Sequence, residues 1–429
     1  MTMAKRKLLW VGDAGVATGF ARATHHLCDW LHASGEWDVE VLGINYYGDP
    51  DVQARWPYKI HPCMTERGGD PLGMARLPEI CARHRPDVVV VLQDPWFIPH
   101  YRAAVGTTPL VVWLAVDGKN LRADEYLAGV NHAIFWTEFA KEEARLGGFA
   151  GHAGVVPLGV DLELYRPLPR QEARVAWGLK GSPAETGYIV GNVNRNQPRK
   201  RLELTIDYFA EWVLEDKVHD AYLMLHLAPT GEHAVDVKQL MGYYGIPHRL
   251  ILSVPPTIGQ GVPEKSLAGM YSAFDVMLST TQGEGFGLTT FEAMAAGVPC
   301  IAPDWSALGE LLAGGAGELV PCSTISVTAG SRSFPAGNII NPNVIGGVPD
   351  KAASIEALRK LYADKSYRAE LADRGRARVG EDRFRWSNIG EAFHRELEAA
   401  LEPRITRYEL PKDGAASASG NEETDAGNA

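Results

Sequence analysis

The feature that most constrains this chain is a rhythm of short, uninterrupted apolar runs, each followed by a stretch of helical character. KLLWVG, a helix over 18–33 and VEVLGI open the series, and a helix over 71–85 leads to PDVVVVLQD, TPLVVWLAVDG and HAIFWTEF. A strand that is apolar on both faces has no solvent side, so it belongs in a parallel sheet covered by helices above and below. After VVPLGVDLELYRPLPR the rhythm restarts with YIVGNVN, a helix over 200–212, AYLMLHLAP, a helix over 237–244, RLILSVP, DVMLST, a helix over 290–296 and VPCIAPD. The pattern predicts an α/β protein of two doubly wound, Rossmann-like domains facing each other across a cleft. The break falls near 167–171, giving an N-terminal domain over 1–168 and a C-terminal domain that begins at 169. Ligands of such sheets bind outside the carboxyl ends of the strands.

Composition narrows the class. With 429 residues, 45% of them hydrophobic, there is enough apolar material for more than one core. A net charge of -11 argues against a generally basic nucleic-acid surface, although Arg199, Lys200 and Arg201 form a local basic patch. The cysteine number, 5, is odd, no C-x-x-C occurs, and most of these residues sit in apolar segments that read as core. That usage fits a reducing, cytoplasmic setting. MTMAKRKLLWVG reads as a first strand, not a signal sequence, and no apolar run approaches the roughly 20 residues that span a bilayer. Residues 321–350, rich in Ser, Gly, Pro and Asn, read as a surface excursion, and the small, polar, acidic segment over 404–429 reads as a disordered tail.

Chemistry concentrates in GEGFGLTTFEAMAAGVPCIAPD, residues 283–304. It comes after an expected strand over 275–279 and opens an expected helix. Bare amides at Gly285, Phe286, Gly287 and Leu288, beside the carboxylates Glu284 and Glu292, suit a nucleotide diphosphate flanked by hydroxyl-rich sugars. Glu292 also has a local reading, since Thr289 three residues earlier completes a capping-box pattern. GNVNRNQPRKRLEL ends a strand at Asn194 and brings Arg195 and Lys200 ahead of a helix. The helix dipole disfavours cations there unless an anion joins them, which points to a diphosphate contacted by Arg195 as a fork and Lys200 as a point charge. VGDAGVATGFARA places Gly15, Thr18 and Gly19 in the first strand-to-helix turn as a phosphate or acceptor loop, at a spacing that departs from G-x-G-x-x-G. Asp117, at the end of a strand, either orients a hydroxyl or caps the next segment of the chain. Asp49-Pro50-Asp51 reads as a loop, the tandem His25 and His26 complete no metal-ligand spacing, and no metal cofactor is expected.

Together these residues resemble the retaining GT-B glycosyltransferases of the family-4 type, from the first strand to about residue 400. The E-x7-E signature from Glu284 to Glu292 carries most of the resemblance, supported by PLGVDLELYRP, by Arg195 with Lys200, and by DRFRWSNIGEAFHREL, which looks like the family's closing helix over 384–403. The resemblance implies a C-terminal domain over 169–383 that binds a UDP- or GDP-sugar donor, with Glu284 on the sugar, Glu292 on the ribose and Arg195 with Lys200 on the diphosphate. It implies transfer to a hydroxyl with retention, with no metal in the catalytic site and no other cofactor. Asp117 stands where many relatives carry histidine, and Thr18-Gly19-Phe20 replaces the usual paired glycines, so the acceptor side departs further than the donor side. The acceptor is left open among glycan, lipid-linked and small-molecule hydroxyls. TGFARAT and NVNRNQPRKRLEL look similar to phage glycosyltransferases, and hydroxymethylated pyrimidines in DNA are a variant acceptor with which Trp96, Phe97 and Arg102 are compatible, although such aromatics more often serve packing. A non-catalytic sugar-nucleotide scaffold and a sugar-nucleotide epimerase are the competing classes.

Overall fold

The computed structural model of the chain describes residues 5–16, 18–65, 68–227, 235–253, 262–326 and 345–402. Seven strands form the first sheet: β1 (Arg6–Asp13), β2 (Trp37–Ile44), β3 (Lys59–Pro62), β4 (Val88–Leu92), β5 (Leu110–Leu114), β6 (His132–Phe135) and β7 (His152–Val155). Their order is β3-β2-β1-β4-β5-β6-β7, and every ladder is parallel. All residues of β4 and β5 are buried, as their unbroken apolar character requires, and so are those of β6, whose first residue is His132.

The second sheet holds β8 (Tyr188–Val193), β9 (Ala221–His226), β10 (Leu250–Ser253), β11 (Val276–Leu278), β12 (Cys300–Pro303) and β13 (Glu318–Val320). It repeats the same winding as β10-β9-β8-β11-β12-β13, again all parallel. In each sheet the order reverses beside the first strand, between β1 and β4 and between β8 and β11. Those reversals are where ligands enter doubly wound sheets. The two Rossmann-like α/β domains expected from the sequence are therefore present.

Helix α1 (Gly19–Ala33) leaves β1, α2 (Leu202–Glu215) leaves the turn after β8, and α3 (Leu288–Ala295) leaves the loop after β11. Helix α4 (Trp386–Leu401) returns to the first domain. There Trp386 stacks on His26 with centroids 4.2 Å apart, and Trp37 Nε1 donates to His394 Nδ1 at 3.0 Å. Gly390 permits this approach, because a Cβ there would lie 2.3 Å from the Trp30 ring. Phe393 packs on Trp10 and Trp113, and Phe384 packs on Phe291, so one apolar cluster runs from the first sheet through α4 into the second domain.

The edges of several elements differ from the sequence reading. The expected helix over 71–85 is Leu77–His84, because Asp70 accepts from the amides of Ala75 and Arg76 and holds the preceding residues in a turn. The ends of the 321–350 excursion are not structureless: β14 (Cys322–Ser326) and β15 (Ile345–Pro349) pair as an antiparallel hairpin. Its base joins the domains, with Lys119 and Ile345 exchanging backbone hydrogen bonds of 3.0 and 2.9 Å and the Gly347 amide donating to Gln282 O at 2.9 Å. The 404–429 tail lies outside the described residues. Cys28, Cys63 and Cys300 are buried free thiols, as their apolar setting suggested. Among the described residues no helix is long and apolar enough to cross a membrane.

Candidate active site between the two sheets

The loop after β11 is pressed against the end of β5. A Cβ on Gly283 would lie 1.7 Å from the Asp117 carbonyl oxygen, and one on Gly285 would lie 2.5 Å from Ala115 Cβ. The glycines on either side of Glu284 thus let the second domain reach the carboxyl edge of the first. Gly287, at φ 95, is the left-handed residue that turns the loop into α3. Across the cleft the start of α1 is as close, since a Cβ on Gly19 would lie 2.8 Å from Leu288 Cδ1.

Glu284 sits between two cations. Lys200 Nζ bonds Glu284 Oε1, and Arg199 Nη1 lies 3.5 Å from Oε2 while also donating to the Gly283 carbonyl. Arg199 Nε lies 3.3 Å from Asp117 Oδ2, which ties the pair to the first domain. Burial alone would raise the Glu284 pKa, but Lys200 and Arg199 outweigh it and hold the carboxyl below its ordinary value. Burial brings the Lys200 ammonium down to about 8, although Glu284 opposes the shift. Lys200 is poised there by a turn, not by a helix end: Pro198–Lys200 is a 3-10 segment and Arg201 adopts φ 50 before α2 begins at Leu202.

Several expected roles change. Glu292 does not close a capping box, because the helix starts at Leu288 with Gly287 as its cap, which puts Glu292 in the second turn. Its carboxylate is fully buried, accepts from Tyr271 OH at 2.6 Å, and has Arg22 Nη1 of α1 2.5 Å from Oε1. A narrow recess lined by Gly19, Arg22, Tyr165, Glu264, Leu288 and Glu292 leads to this pair. Asn194 is turned inward, its amide donating to Asn192 Oδ1 at 2.8 Å. Phe286 is buried against Phe291. Thr18 caps α1, accepting from the Ala21 amide at 3.0 Å and donating to Asp13 Oδ2 at 2.8 Å. Gly15 lies under Tyr46, 2.8 Å from where its Cβ would stand. Asp117 holds Arg199 instead of capping a helix. Arg195, the exposed member of the basic set, faces Asp13 electrostatically. Asp49 accepts from the Asp51 amide at 2.9 Å as the N-cap of a one-turn helix, Pro50–Gln53, where a loop was expected.

Asp94 was missed. It lies just after β4 at the reversal of the first sheet, and loss of surrounding water, reinforced by Asp117 and partly opposed by Arg199, pushes its carboxyl up to about 7. Strongly shifted carboxyls at a cleft mark functional positions. Its signal in the sequence was position alone, the first polar pair after VVVVL, Gln93-Asp94. Arg199 and Arg22 were missed as site residues because their partners lie 82 or more residues away. Trp96 and Phe97, offered as stacking residues for a DNA base, instead pack on the first-domain core and on each other at 5.9 Å. Arg102 donates to the Gly106 carbonyl of its own loop.

Residues 186–329 match the family described as Glycosyl transferases group 1. The chain is 30% identical over 244 residues to the D-inositol 3-phosphate glycosyltransferase of Nocardia farcinica, covering 53% of this chain and 51% of that protein. It is also 30% identical over 168 residues to the lipopolysaccharide core biosynthesis mannosyltransferase LpsB of Rhizobium meliloti, covering 38% of this chain and 44% of that protein. The chain thus spans about half the length of the first of these relatives and less of the second. Among solved structures, sucrose-phosphate synthase from Thermosynechococcus elongatus superposes with a TM-score of 0.67 at 20% identity, over 92% of this chain and 100% of that one. HepE from Anabaena, in complex with UDP-glucose, superposes with a TM-score of 0.66 at 16% identity, over 92% and 99%. With these neighbours and the repeated strand order, the fold is GT-B, and its C-terminal domain carries the group 1 glycosyltransferase pattern.

Proposed function

We propose that this protein is a retaining glycosyltransferase that moves a sugar from a UDP- or GDP-linked donor to an acceptor hydroxyl, without a metal in the catalytic site. The observation that carries the reading is Glu284 held between Lys200 and Arg199 on the glycine loop at the reversal of the second sheet. Glu284 and Asp117 together balance those two cations. An entering diphosphate supplies the anion in place of Glu284 and releases the Glu284 oxygens to accept hydrogen bonds from sugar hydroxyls. The group 1 match over the same loop, and a neighbour solved with UDP-glucose, support a nucleotide-sugar donor.

In this reading Lys200, Arg199 and Arg195, with the amides of Gly285, Phe286, Gly287 and Leu288, stabilise the charge that grows on the leaving phosphate. The acceptor oxygen bonds to the anomeric carbon on the face the phosphate leaves, and its proton passes to the departing phosphate oxygen. Glu292 meets the ribose once Arg22 releases it. Asp94 and Asp117 lie on the opposite wall, where they orient acceptor hydroxyls. The names of the relatives, on inositol phosphate and on lipopolysaccharide core, favour a hydroxyl-rich acceptor over modified DNA. We place the catalysis in the cytoplasm.

The test is a screen of UDP- and GDP-sugars against polyol, glycoside and hydroxymethylated-DNA acceptors in chelator, reading free nucleotide and the anomeric configuration of the product. Retained configuration with a polyol or glycoside is expected. Release of a changed nucleotide sugar without an acceptor would instead identify an epimerase, and no turnover with any donor would identify a scaffold.

A further inference from the structure

At the opposite edge of the first sheet from the cleft, three side chains from three elements converge. His132 and His152 are register partners at the starts of β6 and β7, and Glu396 reaches them from α4. His132 Nε2 and His152 Nε2 lie 2.7 and 3.0 Å from the same oxygen, Glu396 Oε2. The imidazole rings stack with centroids 4.2 Å apart, so both turn the same ring nitrogen toward one point. Gly154, two residues after His152, makes the room: a Cβ there would stand 2.4 Å from Glu396 Oε1.

We propose that His132, His152 and Glu396 form a binding site for a divalent transition metal of the zinc type, which fastens α4 to the first sheet. Two imidazoles and one carboxylate are the donor set of such ions, whereas magnesium and calcium call for oxygen ligands. Tetrahedral ligands at about 2.0–2.1 Å from zinc stand about 3.3 Å apart. The two nitrogen-to-oxygen separations, 2.7 and 3.0 Å, would therefore open by about 0.6 and about 0.3 Å. His152 is half exposed while His132 is buried, so the fourth position faces solvent and takes water.

A second group, Glu40, His61 and His84, has similar spacing but fits less well. There His84 turns Nδ1 to the carboxylate and leaves Nε2 buried without a partner, whereas a ligating histidine ordinarily satisfies its other nitrogen.

The test uses the full chain, stripped with chelator and titrated with ZnCl2 by calorimetry and with Co2+ by visible absorption. The wild type is expected to bind about one equivalent, to show the absorption of four-coordinate Co2+, and to melt at a higher temperature with Zn2+. His152→Ala and the near-isosteric Glu396→Gln should weaken binding about 100-fold or more, beyond the 10–100-fold typical of losing a supporting partner. His84→Ala should bind as the wild type. No stoichiometric binding by the wild type, equal binding by His152→Ala, or loss confined to His84→Ala would overturn the site. The result is independent of the glycosyltransferase reading, which rests on the other edge of the sheets.

Discussion

Glu284 acts on both of its cations at once, so its loss should be felt twice. Glu284→Gln replaces one of the oxygens that accept from sugar hydroxyls with an amide donor, and removes the negative charge from Lys200 and from one side of Arg199, which keeps Asp117. We expect kcat/KM to fall about 10²–10³-fold, the effect of losing one preorganised group in a closed site, as read by donor turnover. Lys200 sets an upper pH limit. With its ammonium brought down to about 8 by burial, kcat/KM should decline above about pH 8 as the charge is lost. Lys200→Arg should carry the limb to higher pH, since a guanidinium stays charged. Asp94 works in the other direction. Its carboxyl, raised to about 7, holds its proton in the folded state where the unfolded chain has already lost it, so stability falls as pH rises from about 4 to about 7. Asp94→Asn should flatten that slope in urea denaturation across the range. Glu284 and Lys200 were legible because glycines and a strand end announced them locally. Asp94, Arg199 and Arg22 were not, because what makes them notable is burial and charged neighbours far away along the chain.

At the scale of elements, the sequence named the central strands of each sheet, missed the short edge strands β3, β7 and β13, and misjudged where several elements start. Periodicity reports which face is buried along several turns, but a terminus is fixed by one residue. Gly287 caps α3, and the Thr289–Glu292 spacing that resembled a cap falls inside the helix. The same loop offers a test of why its glycines are there. Gly283→Ala places a methyl 1.7 Å from the Asp117 carbonyl, a backbone atom that cannot rotate away. The C-terminal domain should keep its fold, because the clash is with the other domain. The expected outcome is a loss of transfer activity of at least about 10-fold, from misplacing groups across the cleft, with an unchanged circular dichroism spectrum.

For the whole molecule, the cleft is closed by charges that belong to different domains. Arg22 of α1 partners the fully buried Glu292 of α3, and a buried carboxylate stripped of its partner costs about 3–5 kcal/mol. Because Arg22 is partly exposed, Arg22→Ala should sit near the lower bound. It should shift the domains apart, seen as a larger radius of gyration by small-angle scattering, while α4 keeps the chain joined. The sequence by itself determined the two parallel, doubly wound sheets and the glycine-flanked carboxylate, because hydrophobic runs, helix periods and turn glycines act over a few residues. Only the tertiary structure decided that Glu292 faces Arg22, that Asn194 turns inward and that Asp94 joins the site. Those outcomes depend on which charges two separately folded sheets bring within a few ångströms, and electrostatic partners carry no signature of their separation along the chain.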